Sequence, residues 1–153
     1  MYVCMKRPIV IAEIGENFIG NLDIARRLIE QAAQAGADFA KFQSYRQELF
    51  AKDDPEYDWF GKVSLSDDDH RMLAAHATQH GITFMSSPFS VERARFLCEG
   101  MGCKEVKIAS GMMMNFPMLD YVNEHAETVF LSTGMATIEE IREALAHLSN
   151  VPK

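Results

Sequence analysis

Five times along the chain, a short apolar run is followed by a small polar turn and then by a stretch with helical spacing. The first unit sets the pattern. Pro8 to Ile14 (PIVIAEI) reads as a strand with Glu13 near its end, and Gly15 and Gly20 bracket a turn holding Glu16 and Asn17. Leu22, Ala25, Leu28, Ile29, Ala32 and Ala33 then recur at helical spacing, and Gly36 is placed to end that helix in the left-handed conformation. Further strands are expected at Ala37 to Gln43, Ile82 to Met85, Lys104 to Ala109 and Thr128 to Leu131. Ser66, Ser90 and Thr137 are expected helix caps. The helix after Ser66 should reach about His80 and the one after Ser90 about Glu99, with a shorter helix near Phe116 to Asn123. Strands joined through helices run parallel, with right-handed crossovers.

Two architectures meet that constraint. One is an open, five-stranded, doubly wound parallel sheet; the other is a partial TIM (β/α)8 barrel of five βα units. With 153 residues the chain fits the open sheet by length, since a barrel typically takes about 250. The strand ends favour the barrel. Glu13, Lys41 and Gln43, Ser86 and Ser87, Lys107 and Ser110, and Ser132 and Thr133 put polar groups at the end of every strand. An open sheet concentrates its site at one switch point, whereas a barrel draws residues from many strands. The expectation is a barrel truncated after its fifth unit, with residues 1–153 as one incomplete domain.

Composition narrows the partners. Hydrophobic content of 48% and charged content of 24% are globular values, and no apolar run approaches membrane-spanning length. A net charge of −7 with no basic stripe argues against nucleic acid. Cys4, Cys98 and Cys103 have neither redox nor zinc spacing and read as free thiols. No secretory signal is visible at the N-terminus, so the cytoplasm is the expected location.

The residues that carry chemistry sit at the strand ends. In Glu105-Val-Lys-Ile-Ala-Ser-Gly-Met112 a lysine lies inside a buried strand, with a hydroxyl and a glycine directly after it. A buried ammonium group is costly unless an anion meets it. Lys41 and Lys107, with serines on the same rim, suit a small multiply charged anion such as a phosphorylated carboxylate. Glu13 among these cations either orients a substrate hydroxyl and moves a proton, or simply pairs with Lys41. A Schiff-base role for either lysine is the other chemistry open to the pair. His76 and His80 are four residues apart on a helix but lack a third ligand in the sequence pattern, so they read as an exposed face. Met112 to Met114 read as core filling, with an apolar pocket or partner surface as the alternative. The acidic and aromatic stretch from Asp53 to Phe60 reads as a loop, either a lid over the rim or a solvated connection.

Five islands give these residues a family likeness. They are Ile11-Ala-Glu-Ile-Gly15 with Asn17 and Gly20; Ala35-Gly-Ala-Asp38 leading to Lys41-Phe-Gln43; Phe84-Met-Ser-Ser-Pro-Phe89; Lys107-Ile-Ala-Ser-Gly111; and Leu131-Ser-Thr-Gly-Met135. In this order the chain resembles the N-terminal barrel of the sialic acid synthases, the N-acetylneuraminate synthase family. The resemblance implies condensation of phosphoenolpyruvate with an N-acylated amino sugar, helped by manganese or magnesium. It implies that Lys41, Ser87, Lys107, Ser110 and Ser132 bind phosphoenolpyruvate and that Glu13 is catalytic on the sugar side, with Asn17 and Gln43 as further candidates. It places the metal-binding histidines on later strands, so no metal ligand is expected in this chain. It also implies a homodimer, or a partner chain that supplies the remaining strands. Two positions depart from the family pattern: Phe18 stands where a histidine follows the asparagine, and Met112 where an acidic residue is usual. The chain is therefore expected to be the N-terminal part of a condensing enzyme, inactive by itself. The alternatives are a non-catalytic anion-binding or interaction module, or a self-contained α/β domain.

Overall fold

Parallel register decides the architecture. A computed structural model describes residues 7–151, so Cys4 lies outside the described residues. Five strands appear: β1 (Ile11–Glu13), β2 (Phe39–Ser44), β3 (Thr83–Pro88), β4 (Glu105–Ile108) and β5 (Thr128–Leu131). β1, β2 and β3 hydrogen-bond in parallel in that order, and β4 pairs in parallel with β5. β3 and β4 lie side by side and join the two ladders into one wall.

That wall curls. Phe39 on β2 and Phe130 on β5 meet edge to face with centroids 6.0 Å apart. Strands three places apart in a flat sheet would be separated by roughly 14 Å, from a spacing near 4.8 Å. The contact therefore closes across the concave face, as in a barrel interior. The helices that connect successive strands agree with this by lying outside. α1 (Leu22–Gln34), α3 (Asp67–Gln79), α4 (Val91–Arg95), α5 (Phe116–His125) and α6 (Ile138–His147) form one layer in which α1 packs on α3, α4 on α5 and α5 on α6. An open doubly wound sheet would carry helices on both faces. Five strands of a βα barrel wall are the result.

The core fills the gap between wall and helices. Ala25 and Ile29 of α1 and Leu73 and Ala77 of α3 bury against Ala40, Phe42 and Phe84 of the strands. A second cluster joins Val106 and Ile108 of β4 to Met118, Leu119, Val122, Ala144 and Leu148. Alternation along each strand leaves the opposite set of side chains facing inward. Glu13, Lys41 and Met85 are register partners on that inner set, as are Lys107 and Phe130. Ser86 pairs with Phe42 and so belongs to the outer face, where its buried hydroxyl has no partner among the described residues. Its expected place on the rim is thus corrected by a one-residue change of face.

The caps stand where the sequence put them. Ser66 and Asp69 form a reciprocal capping box on α3, as do Thr137 and Glu140 on α6, and Ser90 caps α4. α4 is shorter than expected because Phe96–Gly100 widens into a π-turn. The segment between Ser44 and Ser66, which includes the loop expected at Asp53 to Phe60, also contains structure: a short 3-10 turn at Gln47–Leu49 and a helix, α2 (Tyr57–Val63). Stacking of Phe50 on Phe60 at 3.7 Å, with Tyr45 against both, gives this segment its own apolar anchor.

Gly20 holds α2 in place from the other side. Its φ is +77°, and a Cβ there would lie 2.5 Å from the Lys62 carbonyl oxygen. Gly20→Ala is expected to cost about 2 kcal/mol or more, from left-handed strain plus a backbone clash. Gly36→Ala has a similar φ of +81° but open space around it, so it should cost less. Urea denaturation of both variants measures the difference; equal losses would mean the contact with Lys62 contributes nothing.

Candidate anion site at the strand ends

β2 carries the most buried charge of the site. Lys41 is 5% exposed. Its Nζ lies 2.7 Å from Glu13 Oε2 on β1 and donates to Ser87 Oγ on β3 at 3.2 Å. The sequence dictates this meeting, since Lys41 is the register partner of Glu13 and is two residues from the partner of Ser87 on the same face. The buried ammonium is therefore compensated from both neighbouring strands.

Lys107 on β4 makes a second set. Its Nζ donates to Ser132 Oγ beyond β5 and to the Ile108 carbonyl oxygen at 2.9 Å. Partial burial pushes its pKa below the ordinary lysine value; the nearby Lys41 charge pushes the same way, and Glu13 opposes them. Lys107 thus lies close enough to Lys41 and Glu13 for both charges to act on it. An anion bound by both lysines would offset the repulsion between them.

The remaining candidates divide. Ser110 begins a 3-10 turn after β4, and a Cβ on Gly134 would touch its hydroxyl at 3.5 Å, so the β4 and β5 ends are adjacent. Gly111 faces open space, leaving its backbone approachable. Gln43 lies beside Gly15 and Glu13 on the same rim. Asn17 is exposed, and its Nδ2 donates to the Ile14 carbonyl oxygen at 2.9 Å, so it serves its own turn. Phe18 is 2% exposed and packs edge-on against Phe42 in the outer core. It is a core residue and does not face the rim. Met112 packs on the second core cluster, Met113 is buried within it, and Met114 is exposed.

Glu16, in the turn after β1, has a role the sequence reading missed. It accepts from Tyr45 Oη at 2.6 Å and from Trp59 Nε1 at 2.9 Å, using both oxygens. From Tyr57 onward the stretch Asp53 to Phe60 is helical and is tied to the rim turn through Trp59 as a strap, while most of its residues stay exposed to solvent. The chain's single tryptophan beside a turn glutamate was the available signal. His76 and His80 also have what the sequence reading denied them. Glu30 on α1 comes within hydrogen-bonding reach of His76, because α1 and α3 pack side by side.

A cavity of about 440 Å³ lies elsewhere, near the N-terminal ends of β3 and β4, lined by Thr78, Ile82, Met101 and Cys103 among others. Burial lifts the Cys103 thiol to about 11, so it stays protonated and unreactive there. The charge chemistry is at the other end of the strands.

The NeuB family model matches residues 28–153. The chain belongs to the NeuB family. N,N'-diacetyllegionaminic acid synthase of Campylobacter jejuni is 38% identical over 92% of this NeuB chain and 46% of its own length. Human N-acetylneuraminate-9-phosphate synthase is 31% identical over 88% of the chain and 41% of its own. The NeuB chain thus spans about half the length of the curated relatives it matches. Among solved structures, the sialic acid synthetase of Leptospira borgpetersenii, in complex with citrate, superposes with a TM-score of 0.88 at 28% identity, over 97% of this chain and 54% of that one. A truncated 3-deoxy-D-arabino-heptulosonate 7-phosphate synthase of Thermotoga maritima, at 15% identity and a TM-score of 0.69, shares the fold.

Proposed function

We propose that this chain is the phosphoenolpyruvate-binding part of an enzyme that condenses phosphoenolpyruvate with an N-acylated amino sugar to make a nonulosonic acid. The observation that carries the reading is the convergence of Lys41 and Lys107, each on a serine hydroxyl, around Glu13. Phosphoenolpyruvate bears a phosphate and a carboxylate close together, so two separated ammonium groups match its two anionic ends. Ser87, Ser110 and Ser132 supply hydroxyls that can donate to its oxygens. Glu13, with its side chain 56% exposed, is free to rotate from Lys41 toward a sugar hydroxyl once an anion takes over the lysine.

The rim does not fit a divalent cation. Its donors are ammonium groups, hydroxyls and one carboxylate already taken by Lys41, so metal ligands would come from outside these residues. The expected assembly with a second copy or a partner chain belongs to the same proposal.

Thermal unfolding with ligand tests the reading. Millimolar phosphoenolpyruvate should raise the Tm by several degrees, with pyruvate or inorganic phosphate giving less, because each satisfies only one cation. A wild-type chain with no shift, or an equal shift with phosphate alone, would remove phosphoenolpyruvate from this rim.

A further inference from the structure

The outer helical layer carries a cluster that the anion site does not use. Glu30 lies near the C-terminal end of α1, and His76 and His80 lie one turn apart on α3. His76 Nε2 is 3.0 Å from Glu30 Oε1, and His80 Nε2 is 4.0 Å from the same oxygen. One ligand atom from each residue lies within 4.8 Å of the others. The buried neighbours Ile29 and Ala77 fix the two helices on either side of the cluster. The nearby Arg26 is paired with Asp23.

The protons around His80 make this more than a surface ion pair. Its Nδ1 contacts the His76 carbonyl oxygen at 2.9 Å, and a carbonyl only accepts, so Nδ1 carries a proton. In the neutral ring Nε2 then holds a lone pair, aimed at a carboxylate oxygen 4.0 Å away. Two electron-rich atoms face each other across a gap that a cation would fill. A backbone carbonyl that fixes the tautomer of a histidine is the usual support behind a metal-ligating imidazole.

We propose that Glu30, His76 and His80 bind a divalent transition-metal ion of the zinc class, with a fourth position open to water. Zinc sits about 2.0–2.2 Å from nitrogen and oxygen ligands, which in a tetrahedron places donors roughly 3.4 Å apart. The separations of 3.0 and 4.0 Å bracket that value, and rotation of the Glu30 and His80 side chains closes the rest. Zinc replaces the proton shared by His76 and Glu30 and fills the gap to His80. The ion cross-links α1 to α3 near the N-terminal ends of the strands, opposite the anion rim. Its role is to hold the outer layer together.

Zinc titration of the chelator-stripped chain, followed by calorimetry, tests this, with cobalt as a coloured substitute. One ion should bind per chain and raise the Tm by about 5–10 °C at a hundredfold excess over Kd. The cobalt spectrum should show a nitrogen and oxygen site without thiolate charge transfer. His80→Ala changes an exposed residue and should leave the fold intact while weakening binding about tenfold or more, and Glu30→Gln should do the same. Cys98→Ser and Cys103→Ser should bind as wild type does. Absence of binding overturns the proposal. So does affinity unchanged in both His80→Ala and Glu30→Gln, which would place the ion elsewhere.

Discussion

Lys107→Ala is expected to abolish the rise in Tm that phosphoenolpyruvate gives the wild-type chain. The side chain is half-buried, so its removal leaves no unpaired charge in the core, and Ser132 remains free to bind water. What disappears is one of the two cations that share the anion. A charge-assisted hydrogen bond to phosphate or carboxylate contributes about 1.5–3 kcal/mol, so affinity should fall roughly 10- to 150-fold. The variant should also unfold at or slightly above the wild-type temperature without ligand, because the repulsion between Lys41 and Lys107 is gone. That pairing of effects, greater intrinsic stability with lost ligand response, distinguishes a binding cation from a structural one. A variant that is less stable and still responds fully to phosphoenolpyruvate would assign Lys107 to the fold alone.

Acidification should weaken the fold well before its carboxylates titrate, and His70 is the cause. Burial holds this imidazole at about 4, below the 6.5 expected when unfolded. The Ser66 carbonyl, which takes its Nδ1 proton, and Asp67 oppose the shift, while the Arg93 and Arg46 charges reinforce it. The ring is fully buried, with Phe84 and Phe96 edge-on to it. A depressed folded pKa means the unfolded chain takes up the proton first. Stability is therefore complete above pH 6.5 and falls as the pH drops toward 4, by roughly 3 kcal/mol across the window. Asp67 does not blur the test. Burial alone would raise its pKa, but the Arg93 hydrogen bond and charge outweigh this, so its contribution is lost only below its ordinary 3.8. Urea unfolding at pH 7 and pH 5 for wild type and His70→Gln reads the effect. The wild type should lose stability between the two, and the variant should be nearly flat. Equal slopes would mean that His70 is already protonated in the folded chain.

Much of the fold lay in local signals that tertiary packing did not override. Ser66, Ser90 and Thr137 cap helices because their hydroxyls satisfy amides that have no other partner. Strand order and curl were less legible, since they depend on which rings meet across the interior, as Phe39 and Phe130 do. For the rim, the polar residues at the strand ends were legible, but Ser86 and Ser87 are adjacent and so face opposite ways, and only the register with Phe42 and Gln43 tells which one turns inward. Phe18 misled for a related reason: a turn residue adjacent to a site can still point into the core. Glu30 was invisible because nothing in a sequence reports which two helices pack together. The strap containing α2 was hidden by its polar composition, its apolar anchors, among them Phe50, Phe60, Tyr45 and Val63, being scattered along it.

The link from Trp59 to Glu16 gives the protein a built-in optical gauge. The sequence contains one tryptophan, so red-edge excited emission comes from one indole. That indole is 36% exposed, donates to the turn that follows β1 and has the Lys62 ammonium 5.5 Å from its ring centre. Emission colour and quenching therefore track whether the strap is seated on the rim turn, with no label attached and no signal from the rest of the wall.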